Sequence, residues 1–186
     1  MEEKMPRVTR IGIFIDGQNL YHAQKELGIH IDYGKFINQI KKWFAEKNPR
    51  DVWVEFVRYY GLDVSSVYAR SPAYKFFISR LKKSGINIIG KDFKIIRNEN
   101  SNHSYTYRKL NFDVEIAVDA MDLINRYDVF VLVSGDSDFD YLAARLKSYQ
   151  KSVCAISTQN IMSQELKSRS HIAIWLEKIA DKSKLK

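Results

Sequence analysis

The chain has 186 residues, 45% of them hydrophobic and one a cysteine, with a formal net charge of +8 at pH 7. That length supports a sizeable buried core, the lone Cys154 excludes an intrachain disulfide framework and a cysteine-based zinc site, and no apolar run is long enough to span a membrane. With no apolar signal segment in MEEKMPRVTR, a cytoplasmic protein is the default, and the basic balance fits a polyanionic partner as well as plain solubility.

After the polar lead-in 1–10, residues 11–15 read as a buried strand. Residues 17–19 open a helix whose buried stripe is Leu20, Ala23 and Leu27, with Gly28 as its cap. Asp32 caps a second helix, 33–46, with Phe36, Ile37, Ile40, Trp43 and Phe44 at helical spacing. Residues 48–51 form a turn. Residues 52–60 alternate as a second strand, through Val52, Val54 and Phe56, a series that Arg58 breaks. Residues 61–71 are a loop. Ser71-Pro72 opens a helix carrying Tyr74, Phe77, Ile78 and Leu81 that ends near Ser84-Gly85, and 86–89 is a third strand.

The next stretch differs in kind. KDFKIIR (91–97) and SYTYRKL (104–110) flank a polar turn and read as a β-hairpin arm. Phe93, Tyr105 and Tyr107 interleave there with Lys91, Lys94, Arg97, Arg108 and Lys109. Bases stack on aromatics while cations meet phosphates; an amphipathic hairpin at a sheet edge shows the same pattern.

Residues 111–127 read as a helix with Val114, Ala117, Val118, Met121 and Ile124 as its apolar stripe. Glu115, Asp119 and Asp122 then fall on a solvated face. Residues 129–133 are an uninterrupted apolar run, a strand buried on both faces as in a parallel sheet. It breaks at Ser134-Gly135 and presents Asp136, Asp138 and Asp140, the last read as a surface residue. Phe139, Leu142, Ala143 and Leu146 follow at helical spacing. Residues 151–156 are a fifth strand, with Cys154 as a small core residue. A helical 163–167, an apolar HIAIWL (171–176) and a charged end, 178–186, complete the chain. Alternating strands and helices predict a three-layer α/β/α domain with a mostly parallel central sheet and a β-hairpin arm.

Acids at strand ends define the candidate site. Asp16 ends strand one, Asp136 ends the 129–133 strand, and Asp113 starts the helix before it. If those strands are neighbours, all three meet at the carboxyl edge of the sheet, where open α/β folds bind ligands. Three carboxylates with open coordination positions suit Mg²⁺ or Mn²⁺. Such an ion activates water and offsets charge on a phosphoryl group. Each acid also has a plainer reading. Asp16 serves as a turn or cap residue, Asp138 as the N-cap of the next helix, and Asp113 as a helix-start acid favoured by the dipole. Asn19, one turn after Asp16, has an amide suited to a metal-bound water or phosphate oxygen, and Ser134 a hydroxyl near Asp136.

FIDGQN (14–19), FDVEIAVDAM (112–121) and VLVSGDSDF (131–139) together resemble the NYN domain. This is a PIN-like nuclease family that includes the LabA-like bacterial proteins. The resemblance spans about residues 10–176 and implies one NYN/PIN-like domain over 1–186. It also implies a divalent metal bound at the sheet edge and cleavage of RNA, with Asp16, Asp113 and Asp136 in the metal site and Asn19 and Asp138 beside them. Asp119 matches an acid often found in the family's helix segment. One departure stands out: Arg108-Lys109-Leu110-Asn111-Phe112 precedes Asp113 where the family often has Lys-Gly.

The leading expectation is therefore a metal-dependent endoribonuclease acting on RNA, single-stranded in preference. Lys75, Lys91, Lys94 and Arg108 would track the phosphate backbone. The alternative is a non-catalytic RNA- or protein-binding module on the same fold. A phosphatase of the haloacid dehalogenase type needs a second Asp two residues after the strand-end Asp, and Gln18 stands there. The HIAIWL segment or an open sheet edge leaves room for a homodimer.

Overall fold

The computed structural model describes residues 8–66, 69–100 and 103–180, without the side chains of 96–109. The first seven residues, the last six, and the tip of the hairpin turn lie outside the described residues. So do the aromatic and basic side chains on its second strand, Arg108 included.

The hydrophobic runs become strands of one sheet. In chain order these are β1 (Thr9–Asp16), β2 (Val52–Leu62), β3 (Asn87–Lys91), β6 (Val129–Val133), β7 (Ser152–Ser157) and β8 (Ile172–Trp175). The order across the sheet is β3-β2-β1-β6-β7-β8, and every neighbouring pair is parallel. β4 (Lys94–Asn100) and β5 (His103–Lys109) pair antiparallel as the separate hairpin arm. β8 is the part of HIAIWL that the sequence reading did not resolve; it forms one edge of the sheet. β2 also runs on to Leu62, into what reads as loop.

Among the described residues, seven helices cover the two faces: α1 (Gly17–Leu27), α2 (Tyr33–Lys47), α3 (Pro72–Lys83), α4 (Asp113–Asp122), α5 (Asp140–Ser148), α6 (Gln164–Arg169) and α7 (Leu176–Ala180). Ile11, Ile13 and Ile15 point to one face, where α1, α2, α3 and α7 bury Leu20, Phe36, Ile40, Leu81 and Ile179. Phe14 points to the other, with Ile116 and Ala120 of α4, Leu142 and Leu146 of α5 and Leu166 of α6. Helix boundaries follow their caps. Asp32 accepts from the Lys35 amide at the start of α2, Ser71 from Tyr74 at the start of α3, and Gly28 ends α1 with φ of 61°.

The strand order has a consequence for function. Outward from β1 the chain winds to β2 and β3, and outward from β6 to β7 and β8. Between β1 and β6 the winding reverses, and the connections leave toward opposite faces. That reversal leaves a crevice at the carboxyl ends of the two strands.

Two expectations are corrected. The helix read over 111–127 stops at Asp122, and its expected stripe holds only in part: Ala117, Met121 and Ile124 pack against the core, but the innermost positions differ. Val114 and Val118 are 71% and 53% exposed, while Ile116 and Ala120 are buried. Nearly every side of this segment carries an apolar residue, so periodicity cannot choose the inward face. The acids decide it. Glu115 and Asp119 are half-buried rather than solvated, because Lys91 and Arg58 come from the sheet to meet them.

The second correction concerns Arg58. The register of β1 against β2 steps from Ile11↔Val54 to Gly12↔Phe56, which leaves Glu55 as a bulge. A bulge reverses the in-out alternation beyond it. Phe56 and Tyr60 therefore sit on the α4 face, whereas Val52 and Val54 belong to the other. Arg58, which breaks the apolar series, shares the parity of Phe56 and Tyr60.

Candidate functional site

β1 and β6 end side by side, with Ile15 opposite Val133. The next residues build a cleft of about 330 Å³ lined by Asp16, Gln18, Asn19, His22, Asn111, Asp113, Asp136 and Asp138, among others. All five residues expected to form the catalytic site thus share one cleft. Among the described residues, Asp113, Asp136 and Asp138 are the carboxylates whose oxygens lie within 4.8 Å of one another.

Asp16 is the floor of the cleft, 8% exposed. One carboxylate oxygen caps α1, accepting from the amides of Gln18 and Asn19 at 3.1 Å. The other accepts from the Ser134 hydroxyl at 3.2 Å. Burial pushes the Asp16 carboxyl above its ordinary range; these donors pull it back, and the charge of Asp113 adds to the upward shift. The capping and functional readings of this residue are compatible, since capping fixes the carboxylate that faces Asp113.

Asn19 is a tether. Its side-chain oxygen accepts from the Gly135 amide at 2.9 Å and meets the Ser157 hydroxyl at 3.5 Å. This joins α1 to the loop after β6 and leaves the amide NH₂ for the cleft. Two glycines permit the close approach. A Cβ on Gly17 would lie 2.5 Å from the Tyr60 carbonyl, and one on Gly135 would lie 2.7 Å from the Ile161 carbonyl.

Asp136 follows β6 and caps a 3-10 turn, Ser137–Phe139, by accepting from the Asp138 amide. Asp138 is therefore not the N-cap of α5, which has no side-chain cap. Its exposed carboxylate joins the acidic group instead. Asp113 is the first residue of α4. Asn111 donates its amide to the Asp113 carboxylate and accepts from the Asp113 backbone N–H at 3.0 Å. Asn111 thus braces Asp113 at the start of α4.

Three polar lining residues escaped the sequence reading: Asn111, and on α1 Gln18 and His22. The signal was present: His22 follows Asn19 by three residues and Gln18 by four, so one helix face carries them. Of the expected basic residues, Lys91 reaches the helix that carries Asp113. Its ammonium is 2.5 Å from Glu115 and sits over the Phe112 ring, 4.5 Å from the centroid. Lys94 begins the hairpin arm and is exposed. Lys75 is exposed on α3 and does not line the cleft. Asp119 points elsewhere, to Arg58 at 2.5 Å and the Tyr60 hydroxyl at 2.7 Å.

The sequence profile of the NYN domain matches residues 10–177. The chain belongs to the NYN domain family. It is 29% identical over 174 residues to the low amplitude and bright protein LabA of Synechococcus elongatus, a match covering 93% of this chain and 87% of that protein. A crystal structure of a protein of unknown function from Vibrio parahaemolyticus superposes over 100% of both chains, with a TM-score of 0.71 and 24% identity. The last likeness shows the shared fold. Among the described residues no helix is long and apolar enough to cross a membrane.

Proposed function

We propose that this NYN-family chain is a ribonuclease that hydrolyses RNA phosphodiester bonds in the cleft at the β1/β6 switch point, with Mg²⁺ or Mn²⁺ as cofactor. The observation that carries this reading is the convergence of the Asp113, Asp136 and Asp138 carboxylates beside buried Asp16. The donor set fits such an ion. It is all carboxylate oxygen, with neither Cys nor His in the group, and hard divalent cations prefer that chemistry. Like charges gathered this closely call for a counter-charge.

Asp113, Asp136 and Asp138 would hold the ion, with Asp16 alongside. When bound, the ion supplies Lewis acidity toward the phosphoryl group and lowers the pKa of water. The chain's own groups do the rest. Asp16 and Asn19 lock α1 against the loop after β6, so the acids keep their spacing. The Asn19 amide, Gln18 and His22 offer hydrogen-bonding groups to the nucleotide. Lys91 at the end of β3, Lys94 and Arg108 of the hairpin arm, and Lys75 on α3 would follow the phosphate backbone. An unpaired strand suits this site, because its bases can be splayed away from the backbone.

The test is cleavage of labelled single-stranded RNA and matched DNA in Mg²⁺, Mn²⁺ or EDTA, by the wild type, Asp113→Asn and Asp136→Asn. Metal-dependent cutting of RNA that both substitutions abolish is expected. A wild type that cuts nothing, or variants that cut equally well, would overturn the reading. Salt-dependent RNA binding without cleavage would then mark a binding module.

A further inference from the structure

Helix α4 carries Asp113, yet little apolar packing holds it. Within the helix only Ile116 and Ala120 are buried. They lie one turn apart on one line along the axis, and Ala117 and Met121 beside it are only partly buried. So narrow an apolar face leaves the roll of the helix weakly fixed. Its N-cap, Phe112, offers no side-chain acceptor, and the Asn111 side chain one residue earlier takes only the Asp113 N–H.

Polar ties off that line stop the roll: Glu115 meets Lys91 of β3, and Asp119 meets β2. Successive helical residues turn by about 100°, so Asp113 and Asp119 flank the buried line on opposite sides. Asp119 accepts from Arg58 Nη1 at 2.5 Å and from the Tyr60 hydroxyl at 2.7 Å. Both donors come from β2 beyond the Glu55 bulge, which turns them to this face. Arg58 is itself braced over the Phe56 ring, 4.6 Å from its centroid. Tyr60 is fully buried and packs against Phe112, the residue before Asp113, with centroids 5.9 Å apart. Register places Tyr60 directly opposite Asp16. One strand thus aligns the floor of the cleft and the helix above it.

We infer that Asp119 is a positioning residue: held by Arg58 and Tyr60, it sets the roll of α4 and so the place where Asp113 meets Asp136 and Asp138. A carboxylate stands about 6 Å from the helix axis, so a roll of about 20° moves it by about 2 Å. Site geometry tolerates about 0.5 Å. Arg58 and Tyr60 stay protonated while they do this. Burial works against the Arg58 charge, and Asp119 more than offsets it. Burial, reinforced by Asp119, holds the Tyr60 phenol far above its ordinary value.

The inference rests on the reading that the three acids bind a divalent ion. Mn²⁺ itself is the probe, titrated into the full chain by calorimetry or electron paramagnetic resonance. Tyr60→Phe removes one hydroxyl, and Asp119→Asn removes the charge; each is expected to weaken Mn²⁺ binding about tenfold or more, as lost support of a ligand does. Ile40→Val, which lowers stability on the opposite face, is expected to leave Mn²⁺ affinity unchanged. Affinities within about twofold of wild type for both variants would overturn the inference, since a merely structural tie lowers stability alone. A wild type that binds no Mn²⁺ would defeat the metal reading instead. Backbone amide resonances of the metal-free chain then decide the clamp. Tyr60→Phe is expected to displace those of Asp113 to Ile116, and shifts confined to the neighbours of residue 60 would overturn it.

Discussion

Asp16→Asn is expected to make the metal-free protein more stable at neutral pH. The Asp16 side chain gives up nearly all its hydration at 8% exposure. It recovers part through the Gln18 and Asn19 amides and the Ser134 hydroxyl. The balance still leaves its folded pKa raised, by burial first and with Asp113 adding to it. A raised folded pKa means stability that is fully present below the unfolded pKa and lost as pH rises through the folded one. At pH 7, well above the unfolded carboxyl value, the wild type carries more of this penalty than it does near pH 3.5. Asparagine keeps an oxygen for both amides, so the cap survives, and it has no charge at any pH. Relieving such a compromise at a functional site is worth about 1 kcal/mol, or about 2–4 °C in Tm for a chain of this size. Unfolding by urea and by heat in EDTA, at pH 7 and near pH 3.5, reads the effect. The gain at pH 7 should shrink toward pH 3.5. Added Mn²⁺ should raise the wild type more than the variant, because ligand binding to the folded state alone stabilises it. A variant less stable than wild type at pH 7, or a gap equal at both pH values, would refute the reasoning.

Three further outcomes test the geometry. Ile116→Ala should cost about 2–5 kcal/mol in urea unfolding, while Val114→Thr should stay within about 0.5 kcal/mol; the reverse order would mean that α4 faces the other way. Gly135→Ala drives a Cβ against the Ile161 carbonyl and the Ser157 hydroxyl, both at 2.7 Å, so a loss of about 1–3 kcal/mol is expected; an unchanged melting temperature would contradict that contact. Asn19→Ala strips the Gly135 amide of its acceptor and should lower stability by about 1–3 kcal/mol, with slower RNA cleavage in a gel assay; a variant indistinguishable from wild type in both would remove the tether.

Much of the fold is legible because burial leaves a local trace. The apolar run 129–133 reads as a doubly covered strand and is buried at every position. The stripe of Leu20 and Ala23, the Asp32 and Ser71 caps and the left-handed Gly28 all stand where local chemistry puts them. The cleft is legible for the same reason: an acid at the end of a buried strand has nowhere to go but the sheet edge, so Asp16 and Asp136 identify themselves. β8 is less legible, since four residues are too few for a period to show.

What the sequence alone determined is each element's type and the acids at its ends, because backbone sterics, capping and burial period act over a few residues. The tertiary structure decided which elements became neighbours and how each is rolled. The pairing of β1 with β6 turns separate acids into one cleft, and it depends on contacts more than a hundred residues apart. The roll of α4 follows from Arg58, Tyr60 and Lys91, which lie far back in the chain and reach their acids only through the Glu55 bulge and the β2–β3 pairing. A ring of apolar residues around that helix cannot say which side is buried; the partners of its acids can.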